Sequence, residues 1–268
     1  MNILVLHGSM RKGNTHALTQ EIVSRLSAKT DVEINEIDVA GLDLPFCTSC
    51  HVCFKKGEEY CPNRQAVEKV SAALRACDGL IISGTTYMWA LNAAMKNLLD
   101  HHAYLFHRPA LFGKHGLVVA TSAGAGEKKV ARYLKAVLGQ WGINGAQIVT
   151  LNTKEQKLAT SGDTLPTRKA AEIQAKADRF HHLITTKKYI SPSMKGIAVH
   201  NAFRAMSLSA FSESERDTAH WREPGFRDRS YPVKAGICQR AVGAFVFGAA
   251  RSATDMLGKQ YLKKTKKT

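Results

Sequence analysis

The sequence predicts an α/β protein built on a doubly wound parallel sheet of five strands, with a C-terminal helical extension. Two observations carry this reading. Along residues 1–151, five short apolar runs alternate with stretches whose apolar side chains recur at helical spacing. Beyond Thr153 the alternation stops, and helix-periodic segments follow without intervening strands. Strands that are apolar throughout are buried on both faces, which calls for helices above and below a parallel sheet.

Taken in order, Asn2 to His7 is an apolar run ending at Gly8 and reads as a buried strand. After a polar, glycine-bearing loop, Leu18, Ile22, Val23 and Leu26 mark the first helix. Val32 to Val39 is strand-like, Ala66 to Ala76 helical, Gly79 to Ser83 a buried strand, and Leu91 to Leu99 helical. Gly116 to Ala120 precedes a glycine-rich loop and a helix from about Glu127 to Trp141, and Ala146 to Leu151 is the fifth strand. Residues 165–186, 193–211 and 235–261 read as helices. The expected division is a sheet domain over 1–155, with a cysteine-bearing loop at 47–61, and a helical extension over 156–268 that packs on the sheet domain or on a partner subunit. Within that extension Ile237 to Leu257 is the most apolar stretch. Arg240, Arg251 and Asp255 interrupt it, whereas a membrane span needs about 20 apolar residues in a row, so the expectation is subunit packing and no transmembrane segment.

The chain has 268 residues, 44% of them hydrophobic and only 7 of them proline, which excludes disordered, collagenous and disulfide-stapled classes. A chain of this length buries a full core without help from metal or disulfide. Its 38 Lys and Arg exceed 22 Asp and Glu, for a net charge of +16. Most of that excess, +12, falls in residues 151–268 and includes a Lys-rich end from Lys259 to Lys267. No RNP-type aromatics, paired zinc-finger spacing or helix-turn-helix pattern accompanies the charge, so a solvated basic face is expected and not a nucleic-acid partner. The N-terminal residues lack a basic segment and a small-residue cleavage site, and read as a strand instead of a signal peptide. A cytoplasmic location with reduced thiols is the expectation.

In a doubly wound sheet the ligand crevice lies beyond the carboxyl ends of the strands. The loops starting at Gly8, Gly84 and Thr121 all follow apolar runs and should meet there. The first, Gly8-Ser9-Met10-Arg11-Lys12-Gly13-Asn14-Thr15, matches neither the P-loop nor the Gly-x-Gly-x-x-Gly dinucleotide pattern. Hydroxyls at Ser9 and Thr15, the Asn14 amide and the Arg11 cation surround a turn that opens a helix, where unpaired N–H groups favour an anion such as a phosphate monoester. The same residues also make an ordinary capped turn. The third loop carries Thr85, Thr86, Tyr87, Met88 and Trp89, and the fourth Thr121, Ser122, Ala123, Gly124, Ala125 and Gly126. Hydroxyls, amides and flat aromatics at one edge suit a planar heterocycle, with Tyr87 and Trp89 as packing aromatics the alternative.

Four of the six cysteines fall within fifteen residues: Cys47, Cys50 and Cys53 at intervals of three, then Cys61. Three thiolates so spaced wrap one face of a cubane and a distant fourth completes it, as in [4Fe–4S] sites. Structural zinc more often uses two separated Cys-x-x-Cys pairs or Cys/His sets. The compact triple therefore favours iron–sulfur, with zinc, a redox dithiol and structural cysteines as alternatives. His51 reads as a loop histidine, and Cys77 and Cys238 as ordinary thiols. The 11 histidines, the pairs His101-His102 and His181-His182 included, give no persuasive metal-ligand constellation.

Gly8-Ser9-x-Arg11-x-Gly13-Asn14-Thr15, the cysteines after the second strand, Tyr87, Met95-Lys96-x-x-x-Asp100 and the loop from Thr121 to Gly126 together resemble the NADPH-dependent FMN reductase branch of flavodoxin-like proteins. The cysteine spacing is similar to that of its iron–sulfur flavoproteins. The resemblance covers roughly residues 1–150, and the tail only loosely through Trp221, Gly225 and Tyr231. It implies strand order 2-1-3-4-5, FMN at the strand carboxyl ends, and homodimers or homotetramers. It further implies that Ser9, Arg11, Gly13, Asn14 and Thr15 hold the phosphate, and that Thr85, Thr86, Tyr87, Met88 and Trp89 flank the isoalloxazine. Thr121, Ser122, Ala123, Gly124 and Gly126 would line the other edge, with Cys47, Cys50, Cys53 and Cys61 as cluster ligands. The implied activity moves electrons from NAD(P)H or a ferredoxin-like carrier through FMN, and then a [4Fe–4S] cluster, to a small-molecule or protein acceptor, the flavin doing the chemistry without a catalytic side chain. A cluster-free flavin or quinone reductase and a non-enzymatic electron carrier are the alternatives. Thr85 stands where relatives often carry proline, and Asn92 where many carry serine.

Overall fold

Every apolar run read as a strand is one in the computed structural model, which describes residues 1–29, 31–153, 165–223, 226 and 234–265. Strands β1 (Asn2–His7), β2 (Glu33–Asp38), β3 (Gly79–Tyr87), β5 (His115–Ser122) and β6 (Gln147–Asn152) are parallel and lie in the order β2-β1-β3-β5-β6. With β4 (Ala90–Leu91) set aside, this is the expected order 2-1-3-4-5. The sheet has six strands and not five, because β3 runs on past Ser83 to Tyr87 and turns back into β4, pairing Thr86 with Leu91 and Tyr87 with Ala90. Met88 and Trp89 form that two-residue turn with φ of 47° and 61°. Such hairpins normally announce themselves by Asn-Gly or Asp-Gly, so Met-Trp carried no turn signal.

The pleat sends alternate side chains to opposite faces. Leu4, Leu6, Leu80, Ile82, Val118 and Ala120 pack against α3 (Arg64–Ala76), α4 (Ala93–His101) and α6 (Glu127–Trp141). Ile3, Val5, Ile81, Leu117, Val119, Val149 and Leu151 pack against α1 (Asn14–Ser27) and α7 (Thr167–Thr185). α7 lies beside α1 and contributes Ile173, Ala177, Phe180 and Ile184 to that layer. Two short helices precede the later elements: α2 (Val52–Lys55) within the cysteine loop and α5 (Tyr104–His107) after α4.

Three more helices follow: α8 (Met194–Ser207), α9 (Glu215–Arg222) and α10 (Ile237–Thr265). α8 packs on α5, α6 and α10, and α9 packs on α2 and α8. The sequence showed no sign of α9, since Glu215–Arg222 is polar and buries only Asp217 and Trp221. Among the described residues no helix is long and apolar enough to cross a membrane. The expected domain boundary at 155/156, Gly225 and Tyr231 lie outside the described residues.

Two histidines are sealed in this frame. His102 Nδ1 donates to the Leu98 carbonyl at 2.9 Å, and Nε2 is 3.2 Å from the Ser71 hydroxyl, a pairing that suits the neutral ring. Burial pushes its pKa down to about 4, and that of His200, against Trp221, down to about 3. Both native values lie below the unfolded value of about 6.5, so the unfolded chain binds more protons on acidification. Their stabilising contribution is complete above pH 6.5 and is lost as pH falls through the native values. Each makes stability decline by about 1.4 kcal/mol per pH unit across its window. Urea unfolding of His102→Gln between pH 6.5 and 4 should show a shallower decline than the unsubstituted protein. Parallel pH profiles would show that His102 is not held neutral.

Candidate functional site

The carboxyl ends of β1, β3 and β5 are joined by three hydroxyls. Thr15 Oγ1 lies 2.8 Å from Thr85 Oγ1 and 2.6 Å from Thr121 Oγ1, with Thr15 and Thr121 both buried. The three loops expected to meet therefore do so, through one residue from each. Gly8 permits this closeness: its N–H donates to Ser83 O at 3.1 Å, and a Cβ would lie 2.4 Å from that oxygen. Asn92, absent from the candidate residues, bridges the first and third loops. Its Nδ2 donates to Gly8 O at 2.5 Å, and its Oδ1 accepts from Thr85 N at 3.3 Å.

The first loop folds on itself, with the Ser9 hydroxyl donating to Arg11 O at 2.7 Å and the Gly13 N–H donating to the same oxygen at 2.8 Å. Arg11 is exposed, while Gly13 and Asn14 are half-buried at the start of α1. No side chain caps that helix and its first turn holds no acidic residue, so its end favours an anion. Thr15 is placed differently from the expectation of an open phosphate donor. Its hydroxyl belongs to the buried contact beneath the loop, and only its backbone faces the helix end.

Beside this loop lies a cavity of about 720 Å³ lined by Ser9, Arg11, Phe46, Thr85, Tyr87 and Asn92, among others. Its size falls within the roughly 300–1,000 Å³ of small-molecule sites. Tyr87 lines it, and Tyr87, Met88 and Trp89 are 73%, 84% and 64% exposed, so Tyr87 and Trp89 are not the packing aromatics of the alternative reading. Positive φ at two bulky residues, carried on an exposed turn, is strain of the kind found where function requires it. Thr86 Oγ1 is buried without a hydrogen-bond partner, a polar atom left for a ligand to satisfy.

In the fourth loop Ser122 is buried and donates to Glu127 Oε2 at 2.6 Å, while Ala123 and Gly124 are exposed. Gly126 caps α6 at φ 102°, and a Cβ there would lie 2.8 Å from Thr86. Beyond it a second cavity, of about 940 Å³, runs from Trp89 past Gly124 and is lined by Lys128, Lys129, Arg132, Arg168 and Lys169 against Glu127 and Glu172.

The cysteine loop is anchored at its start by Asn97, which the sequence did not single out. Its amide donates to Leu44 O at 3.1 Å and Pro45 O at 3.0 Å, and its Oδ1 accepts from Cys47 N at 3.0 Å. Ser49 and His51 take φ of 52° and 59°, which curls the chain between the cysteines. Cys50 is exposed, and Cys47, Cys53 and Cys61 are half-buried. Burial pushes the Cys53 thiol up to about 11, opposed by the nearby Arg108 cation and reinforced by Cys61, Cys47 and Cys50. Cys53 thus has the other three thiols as neighbours. No three of their sulfurs lie within 4.8 Å of one another. The donor set is all thiol, which suits iron–sulfur chemistry.

Arg108, also missed, fastens this loop to the C-terminal helices. Only 4% exposed, it donates to Cys53 O at 3.0 Å, pairs with Glu58 at 2.6 Å, and binds Asp217 of α9, which is fully buried. His107 reaches the other Asp217 oxygen at 2.7 Å and stacks on Phe54 at 4.2 Å.

Comparison with known proteins places this architecture. An iron–sulfur flavoprotein of Clostridioides difficile is 24% identical over 84% of this chain and 99% of its own length. One from Methanocaldococcus jannaschii is 29% identical over 46% of this chain, a match that spans 63% of that relative. The crystal structure of an apo NADH:FMN oxidoreductase superposes with a TM-score of 0.52 at 20% identity, over 68% of this chain and 88% of that one, a likeness of fold. The family described as NADPH-dependent FMN reductase matches residues 1–155, more than half of the chain and all three of its threonine-linked loops. The protein belongs to that family, as a flavodoxin-like, FMN-dependent oxidoreductase.

Proposed function

We propose that the protein takes electrons from a reduced nicotinamide dinucleotide onto FMN in the 720 Å³ cavity and passes them to a [4Fe–4S] cluster on Cys47, Cys50, Cys53 and Cys61, and from there to an external acceptor. The observation that carries it is the convergence of the threonine-linked loops on a cavity that Leu44 and Phe46, at the start of the four-thiol loop, also line. FMN, when bound, supplies hydride acceptance and single-electron release, and a cluster supplies one-electron storage. The chain's own residues do the positioning. Arg11, Ser9 and the first-turn amides at Gly13, Asn14 and Thr15 hold the phosphate. Thr85, Thr86 and the hairpin residues Tyr87, Met88 and Trp89 flank the ring system and exclude water from one face. Exposed amides at Ala123 and Gly124, with Thr121, Ser122 and Gly126 behind them, offer donors to negative charge at the other edge.

The donor reading rests on the basic second cavity, which starts at Trp89 and the fourth loop and continues over Lys128, Lys129 and Arg132. Its cations suit a phosphorylated dinucleotide, and an extra ribose phosphate most of all. The apolar side chains that α10 leaves exposed, Ile237, Phe245, Met256 and Leu257, support self-association.

Arg11→Ala should weaken FMN binding about tenfold, the loss of one charge-assisted contact at an exposed position. Titration of apoprotein with FMN measures this, and an unchanged affinity removes the first loop from the phosphate site. Cys50→Ser should abolish bound iron and acid-labile sulfide while flavin absorbance persists. Full iron content in that variant places the cluster elsewhere, and iron-free unsubstituted protein that still turns over NAD(P)H favours the cluster-free reductase. Lys129→Ala combined with Arg132→Ala should raise KM for NADPH about tenfold and leave NADH nearly unaffected. Equal changes for both donors would remove the basic cavity from donor selection.

A further inference from the structure

A second cluster of chemistry-bearing side chains sits at the same sheet edge, on the face covered by α1. His7 and Asp38 end the neighbouring strands β1 and β2 and stand opposite each other in the register. Glu36 shares their face, two residues before Asp38. His16, in the first turn of α1, lies over them with its ring stacked on His7 at 4.6 Å. One ligand atom from each of His7, His16 and Asp38 lies within 4.8 Å of the other two, and among the described residues this is the one group of three that does so.

We propose that His7, His16 and Asp38 bind a divalent transition-metal ion, with Glu36 as the carboxylate that orients His7. His7 is only 1% exposed, and its Nε2 is 2.6 Å from Glu36 Oε2. Its Nδ1 is buried and has no hydrogen-bond partner. A buried imidazole nitrogen without a partner is costly unless something occupies it, and a carboxylate on the far nitrogen is the usual support of a metal-bound histidine. Gln20 donates to the same Glu36 oxygen at 2.6 Å, which keeps that carboxylate in place. Two imidazoles and one carboxylate are the donor set of zinc, cobalt, nickel or ferrous iron, with positions left for water, and not of magnesium or calcium. Metal–ligand bonds of about 2.0–2.2 Å put neighbouring ligand atoms roughly 3–3.5 Å apart. Asp38 is exposed and His16 half-exposed, so small side-chain rotations close the set and the ion enters from solvent. None of this depends on the FMN reading, since the cluster faces α1 and shares no residue with the proposed flavin or cysteine sites.

Equilibrium dialysis of the FMN-loaded protein against Co²⁺ alone, followed by metal analysis, tests the site. Unsubstituted protein should retain a single Co²⁺ per chain that Cys50→Ser also retains and that His16→Ala and Asp38→Asn both lose. Glu36→Gln should weaken retention by about 10–100-fold, as removal of a supporting carboxylate does. Uptake that is unchanged in His16→Ala and Asp38→Asn, that disappears in Cys50→Ser, or that is absent from the unsubstituted protein overturns the proposal.

Discussion

The contact among Thr15, Thr85 and Thr121 is the constraint on which the site depends. A parallel sheet brings the carboxyl ends of its strands to one edge, but it does not set how far apart the following loops stand. Here one hydroxyl, 2.8 and 2.6 Å from two others, pins α1 to the ends of β3 and β5. Buried hydroxyls that satisfy one another avoid the cost of being desolvated alone, so the contact is short and specific. With that floor in place, the first loop can present amides and Arg11 upward, and the third loop can extend into a hairpin.

The hairpin shows how rigid support is converted into an open surface. β3 is buried from Gly79 to Gly84 and only then leaves the core, so Tyr87, Met88 and Trp89 project from a fixed base. Their exposure, with the positive φ of Met88 and Trp89, would be hard to account for in a packing element. In the proposed function they are side chains kept available for a flat partner, with Gly126 yielding the room that a side chain would take from Thr86.

A second constraint links the cysteine loop to the C-terminal helices. Asp217 is fully buried, and Arg108 and His107 meet its two oxygens. Breaking such a pair by removing one partner typically costs about 3–5 kcal/mol, because the other charge is left buried. Arg108 also holds Cys53 and Glu58, so the cysteine loop owes its position to a helix more than a hundred residues later. The C-terminal helices therefore touch the thiol loop through Arg108.

The strands, their parallel order and the first five helices of ordinary length were legible in the sequence because burial of both sheet faces writes itself as apolar runs and helical spacing. The three loops and the four thiols were legible because their residue types carry chemistry that local structure alone does not require. The hairpin was not, since Met88-Trp89 has none of the residues that usually mark such a turn. Neither was α9, whose two buried side chains set no periodicity. Asn92, Asn97, Arg108 and Asp217 look like ordinary polar residues in one dimension, and so do His7, His16 and Asp38, which are spread over 32 positions of the chain. Their roles come from partners distant in sequence, and only the tertiary structure brings those partners within hydrogen-bond or ligand distance.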